Sequence, residues 1–205
     1  MSNILVYELE KKIYINLTNR CTNDCIFCLR KDKDDVCGQQ LWLDTEDFTS
    51  DDVIEQLKNF ELSSEVIFCG YGEPLLKFEV LRQVAKYIKE NYPEIKIRVN
   101  TNGHANYVYK KNVVPELVGL VDEISVSLNG STCEEYDELS QPKFDGAYEE
   151  VKKFIKCSSG AGIKTVVSIV DGYKGRRLNI EKCREIANEL GAELRVREWI
   201  QNGYS

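Results

Sequence analysis

Ile95-Lys96-Ile97-Arg98-Val99-Asn100-Thr101-Asn102 alternates residue by residue, with Lys96, Arg98, Asn100 and Asn102 on one side and Ile95, Ile97 and Val99 on the other. Successive side chains of a strand point to opposite faces, so this stretch predicts a strand with one polar and one apolar surface. The same division recurs elsewhere. Ser125, Ser127 and Asn129 oppose Ile124, Val126 and Leu128; Tyr14, Asn16 and Thr18 oppose Ile13, Ile15 and Leu17; Arg195 and Arg197 oppose Leu194 and Val196. A doubly wound sheet is covered on both faces and reads as continuous apolar runs. Strands packed outward on helices and inward on a wet lumen read as these do.

Outward from that stretch, strand and helix patterns alternate. A hairpin is expected over Ile4–Glu8 and Lys12–Thr18, then a charged irregular stretch from Asn19 to about Asp47. Thr49 or Ser50 caps a helix to about Phe60, acidic in its first turn. Strands are expected at Glu65–Cys69, Ile95–Thr101, Glu123–Leu128, Lys164–Val170 and Glu193–Trp199. Helices are expected at Phe78–Asn91, Pro115–Val121, Cys133–Leu139, Tyr148–Cys157 and Ile180–Leu190. Repeated βαβ units with half-polar strands predict an α/β fold: a partial (β/α)6 TIM-like barrel of parallel strands with a short N-terminal hairpin strand.

The 205 residues fit one domain over 1–205, with no repeat or Pro-rich linker to divide it. A hydrophobic share of 42% and a charged share of 30% are ordinary for a globular protein. The net charge of −7 argues against a general nucleic-acid surface. No apolar run is long enough to cross a bilayer and no secretory leader opens the chain, so no membrane partner and a cytoplasmic location are expected. Of eight cysteines, three crowd into Cys21 to Cys28, while Cys37, Cys69, Cys133, Cys157 and Cys183 are scattered. Such spacing points to a metal rather than a disulfide framework.

Cys21-Thr22-Asn23-Asp24-Cys25-Ile26-Phe27-Cys28 directly follows the first core strand, at the carboxyl end where α/β enzymes build their sites. A [4Fe–4S] cube takes one thiolate per iron, so three leave one iron free to bind a small molecule. A zinc site would need a fourth ligand, with Cys37 as the candidate and His104 as the chain's single histidine.

The spacing C-x3-C-x2-C with Phe27 before the last cysteine resembles the signature of the radical S-adenosylmethionine (SAM) superfamily. Gly70-Tyr71-Gly72-Glu73-Pro74 resembles its Gly-Gly-Glu-Pro motif, with Tyr71 in place of a glycine. Asn100-Thr101-Asn102-Gly103 and Ser125-Val126-Ser127-Leu128-Asn129-Gly130 resemble its next two strand ends. The whole chain is similar to the small TatD-associated branch. This resemblance implies a [4Fe–4S] cluster on Cys21, Cys25 and Cys28, with SAM chelating the free iron. Reductive cleavage would give a 5′-deoxyadenosyl radical that abstracts hydrogen from a small-molecule or peptide substrate.

The resemblance also assigns SAM contacts. Gly70, Tyr71, Gly72 and Glu73 would receive the ammonium, with Tyr71 narrowing the pocket. Asn102, Ser127 and Asn129 would bind the ribose or carboxylate, and Phe27 would lie near the adenine. A flavodoxin or ferredoxin would supply the electron. Arg98, Arg195 and Arg197 are candidates for the SAM carboxylate, for an anionic substrate, or for a surface role at the lower rim. Cys69 reads as a substrate-facing thiol or a small buried hydrophobe, and His104 as a residue packing near its loop. Three other readings stay open: an activating enzyme that installs a glycyl radical on a partner, a non-catalytic iron–sulfur electron-transfer or sensor protein, and a zinc-binding interaction module.

Overall fold

The computed structural model describes residues 3–31, 33, 35, 36 and 38–200; Cys37, Asp32 and Asp34 lie outside the described residues. Nine strands are described: β1 (Val6–Leu9), β2 (Lys12–Ile15), β3 (Asp35–Val36), β4 (Gln39–Gln40), β5 (Glu65–Phe68), β6 (Lys96–Thr101), β7 (Glu123–Ser127), β8 (Lys164–Asp171) and β9 (Glu193–Glu198). The helices are α1 (Ser50–Leu57), α2 (Phe78–Asn91), α3 (Ala105–Tyr109), α4 (Cys133–Ser140), α5 (Ala147–Gly160) and α6 (Ile180–Glu189).

Seven strands form one open sheet in the order β1-β2-β5-β6-β7-β8-β9. β1 pairs antiparallel with β2, and every later neighbour pairs in parallel. This is the expected partial barrel with its N-terminal hairpin strand. Its outward residues, Ile13, Ile15, Ile97, Val99, Ile124 and Val126, are all at most 3% exposed and join one core with the helices.

Helix α2 shows how the pattern makes the packing. Phe78, Leu81, Val84, Ala85 and Ile88 recur at three- and four-residue intervals and are all buried, the stripe a helix needs to lie on a sheet. Thr49 is the cap of α1, its backbone N–H donating to the Asp52 carboxylate at 2.7 Å.

Three expectations need correction. The stretch Pro115–Val121 holds only a 310 turn over Val114–Leu117, because Val118 is extended and Gly119 turns with φ 80°. The region read as irregular between Asn19 and Asp47 contains the β3–β4 hairpin. The strand expected to reach Thr18 ends at Ile15; the Asn16 N–H still donates to the Leu5 carbonyl, and the side chains of Asn16 and Thr18 bond Leu41 and Glu46.

Candidate functional site

The loop after β2 lies across the mouth of the sheet and is tied down on several sides. Lys143 Nζ donates to the Cys21 carbonyl at 2.8 Å, and the Ile26 N–H donates to the Leu139 carbonyl at 3.0 Å. Arg30 donates to the carbonyls of Asn19 and Asn23 at 3.0 and 3.3 Å. Tyr173, just past β8, donates its hydroxyl to the Ile26 carbonyl at 3.0 Å. A bond from the end of β8 to the loop leaving β2 spans strands that a flat sheet would hold far apart, so the sheet curves around its polar face.

Within this loop Cys21, Cys25 and Cys28 are partly buried and reduced. Burial, then the neighbouring Cys28 and Cys21, push the Cys25 thiol up to about 12. Cys21 is raised as well, first by burial and then by Glu73. A thiol held up in this way, as those of Cys21 and Cys25 are, gains most from a cation, which deprotonates a coordinating thiol outright. Among the described residues, no three His, Cys, Asp or Glu groups stand close enough to hold one ion. A cube meets that geometry differently, because each thiolate takes its own iron.

The turn after β5 runs alongside this loop. The Glu73 N–H donates to the Arg20 carbonyl at 2.8 Å. A Cβ on Gly70 would stand 2.0 Å from Asn16 Oδ1, and one on Gly72 would stand 2.2 Å from the Thr18 carbonyl oxygen. Only glycine allows this approach. The Glu73 carboxylate, 3% exposed, accepts from the Leu75 N–H at 3.0 Å, the Thr101 hydroxyl at 2.7 Å and the Asn102 N–H at 2.7 Å. Burial raises its pKa to about 7 despite those donors. Tyr71 turns the other way: its hydroxyl donates to the Lys33 carbonyl at 2.7 Å and its ring meets Trp42 edge-on at 5.4 Å, in a small cluster with Tyr7, Val36 and Leu41. Its side chain braces the hairpin region.

After β6, Asn102 Nδ2 donates to Thr22 Oγ1 at 2.8 Å and lies 3.5 Å from Cys21 Sγ. Thr22 Oγ1 meets His104 Nδ1 at 2.8 Å, His104 Nε2 meets the Tyr136 hydroxyl at 2.8 Å, and Asn23 Nδ2 reaches that hydroxyl at 3.3 Å. After β7, Asn129 adopts φ 52° and sits 2% exposed, with Nδ2 on Ser140 Oγ at 3.4 Å and Oδ1 without a partner. Ser140 also hydrogen-bonds the Cys25 thiol. Ser127 is half-buried on the inner face of β7. Phe27 stands edge-on to Tyr173 at 5.9 Å.

The structure therefore brings Cys21, Glu73 and Asn102 into one bonded chain and links Asn129 to Cys25 through Ser140. Ser127 and Phe27 border the same mouth. Thr22, Tyr136 and Tyr173 belong to the site and were not selected from the sequence; His104, read there as packing near its loop, joins them. Arg98 lies between Glu65 and Glu123 at 3.6 and 3.9 Å, and Arg195 pairs with Glu123 at 3.1 Å.

A family description, the radical SAM superfamily, matches residues 15–190. The chain belongs to the radical SAM superfamily. Members of this superfamily are enzymes that bind a [4Fe–4S] cluster and SAM. The chain is 26% identical over 120 residues to an uncharacterized protein of Methanocaldococcus jannaschii, covering 58% of this chain and 39% of that one. It is 27% identical over 137 residues to the GTP 3′,8-cyclase of Limosilactobacillus fermentum, covering 66% of this chain and 39% of that one. The chain thus spans about two fifths of the length of these relatives. SuiB of Streptococcus suis bound to SAM shares the fold with a TM-score of 0.64 at 19% identity, covering 93% of this chain and 41% of SuiB. The structure of anSMEcpe with bound AdoMet shares it with a TM-score of 0.61 at 14% identity, covering 91% and 50%. Among the described residues of this radical SAM chain, no helix is long and apolar enough to cross a membrane.

Proposed function

We propose that residues 1–205 form one radical SAM core in which Cys21, Cys25 and Cys28 each hold one iron of a [4Fe–4S] cluster. The observation that carries this reading is the bonded chain from Cys21 through Asn102 to Glu73, which joins the three-thiol loop to the glycine turn at one mouth. When bound, the reduced cluster and SAM supply a 5′-deoxyadenosyl radical for hydrogen abstraction from a small-molecule or peptide substrate.

The protein's part is positioning. Gly70, Tyr71, Gly72 and Glu73 offer backbone carbonyls to an ammonium group, and Glu73 fixes that turn to Thr101 and Asn102. Three donors occupy its carboxylate, so its charge acts mainly through the field it sets up. Asn102 and Ser127 present polar groups to ribose hydroxyls or a carboxylate. The unpartnered Asn129 Oδ1 supports a ligand contact there, since a buried amide oxygen favours a donor. Phe27 borders the adenine position beside Tyr173. A flavodoxin- or ferredoxin-type protein delivers the electron.

Anaerobic reconstitution, followed by dithionite and SAM, tests this reading. The expected product is 5′-deoxyadenosine, abolished in Cys25→Ala. An intact cluster that never yields it would identify a binder or sensor instead, and stoichiometric zinc in a colourless protein would identify an interaction module.

A further inference from the structure

Three arginines point to the polar face of the sheet, and the structure separates them. Arg98 is committed to Glu65 and Glu123, and Arg195 to Glu123. Arg197 lies two residues beyond Arg195 on the same face of β9, paired in register with Val170. Among the described residues it has no hydrogen bond or ion pair. Its neighbour Glu198, on the opposite face, is held by Arg177 at 2.9 Å. Arg197 is also accessible to solvent, as a group at the open side of a partial barrel must be.

What Arg197 faces is equally specific. Cys69 leaves β5 one residue past the Phe68–Val99 pair, beside Asn100 on the inner face of β6. Burial raises its thiol, while a hydrogen bond from Asn100 and the charges of Arg197 and Arg98 pull it back down. The strand registers, Ile67 opposite Arg98, Asn100 opposite Ser125, Ser127 opposite Ser168 and Ser168 opposite Arg195, put Arg98, Arg197 and this thiol on the one inner face of the sheet. One buried donor there is unpartnered, Arg98 Nε, and favours an acceptor from a ligand or ordered water, while the unpartnered Asn100 Oδ1 is itself an acceptor and calls for a donor beside the anion. In a chain of net charge −7, an uncompensated, reachable guanidinium inside the lumen is a site for an anion.

We infer that Arg197 holds an anionic group, a carboxylate or phosphate, of the substrate inside the lumen, with Cys69 and Asn100 on the facing wall. This rests on the radical SAM reading above for the word substrate, but the anion site itself is testable without turnover. A guanidinium presents a planar fork of donors to such a group, and fixing one end of the substrate there would hold a carbon–hydrogen bond toward the mouth of the sheet.

Cys69 is a built-in reporter. The anaerobically reconstituted protein is treated above pH 8 with iodoacetate or iodoacetamide, whose carbon forms a bond to the thiolate sulfur as iodide leaves. Peptide mass spectrometry reads each cysteine. The ratio of anionic to neutral reagent rates is expected to be about tenfold higher at Cys69 than at Cys157, because a cleft of one sign concentrates ions of the other. Arg197→Gln should erase that preference, and inorganic phosphate should suppress it in the native sequence alone. Equal ratios at the two cysteines, a preference that survives Arg197→Gln, or a Cys69 inert to both reagents overturns the assignment. Repeating the phosphate suppression with saturating SAM and an unreduced cluster separates the two anion sources. Suppression that persists supports a substrate site. Loss of it, or complete shielding of Cys69 by SAM, assigns Arg197 to the SAM carboxylate and overturns the proposal. Since no step here requires 5′-deoxyadenosine, failure of the anion site and failure of the radical reading are distinguishable.

Discussion

His104 Nε2 and the Tyr136 hydroxyl lie 2.8 Å apart, both residues fully buried, and join the end of β6 to helix α4. The other ring nitrogen of His104 meets Thr22 between the first two site cysteines, so a single imidazole connects the loop, the sheet and the helix. Burial depresses its pKa from 6.5 to about 4, so the ring is neutral, one nitrogen donating and the other accepting.

The pH dependence follows with its sign. Unfolded His104 takes up a proton near pH 6.5, but the folded residue resists it until about pH 4. Its contribution is therefore present above 6.5 and lost as pH falls through that window. Glu73 runs the opposite way: with a folded value of about 7 against 4.5, its contribution is present below 4.5 and lost as pH rises to 7. Each is worth roughly 3 kcal/mol at full extent. Urea midpoints of the cluster-free chain should be nearly flat from pH 4.5 to 6.5. His104→Gln should lose stability toward neutral pH and Glu73→Gln toward acid. Parallel curves would contradict both assignments.

Gly72→Ala places a Cβ 2.2 Å from one backbone oxygen and 2.5 Å from another, those of Thr18 and Arg20. Backbone cannot swing aside as a side chain can, so overpacking should cost about 1–3 kcal/mol. The displaced turn should weaken SAM binding at least about tenfold, since about 1.4 kcal/mol is one decade. Calorimetry on the reconstituted protein reads the affinity, and native-like binding would contradict the close approach.

The fold was legible because parallel strands of a partial barrel wear their environment on alternate residues: Ile97 and Val99 are buried outward, while Arg98 and Asn100 line the inner face. The crowding of Cys21, Cys25 and Cys28 pointed to a metal, and the motifs at the following strand ends turned that into a cluster expectation. Side-chain direction in the turns was not legible. Tyr71 occupies a motif position yet packs away under Trp42, and Glu73 spends its carboxylate on backbone and hydroxyl donors. His104 and Tyr136 meet across 32 residues only because α4 packs over the loop. No periodicity encodes that contact.

Tyr173→Phe removes the donor to the Ile26 carbonyl without changing the ring that meets Phe27. The loss of one hydrogen bond should cost about 1 kcal/mol. The cysteine loop after β2 should then open more often. Bleaching of the cluster absorbance by a chelator should be severalfold faster than in the native sequence. An unchanged bleaching rate would show that the tyrosine does not restrain the loop.

Electron–nuclear double resonance on the reduced protein, with SAM carrying nitrogen-15 in its amino group, addresses the open iron itself. A nitrogen-15 coupling to the cluster spin, present in the native sequence and in Arg197→Gln alike, is the predicted result. A reduced cluster that shows no coupling at saturating SAM, its fourth iron held by a side chain of this chain, would contradict the account.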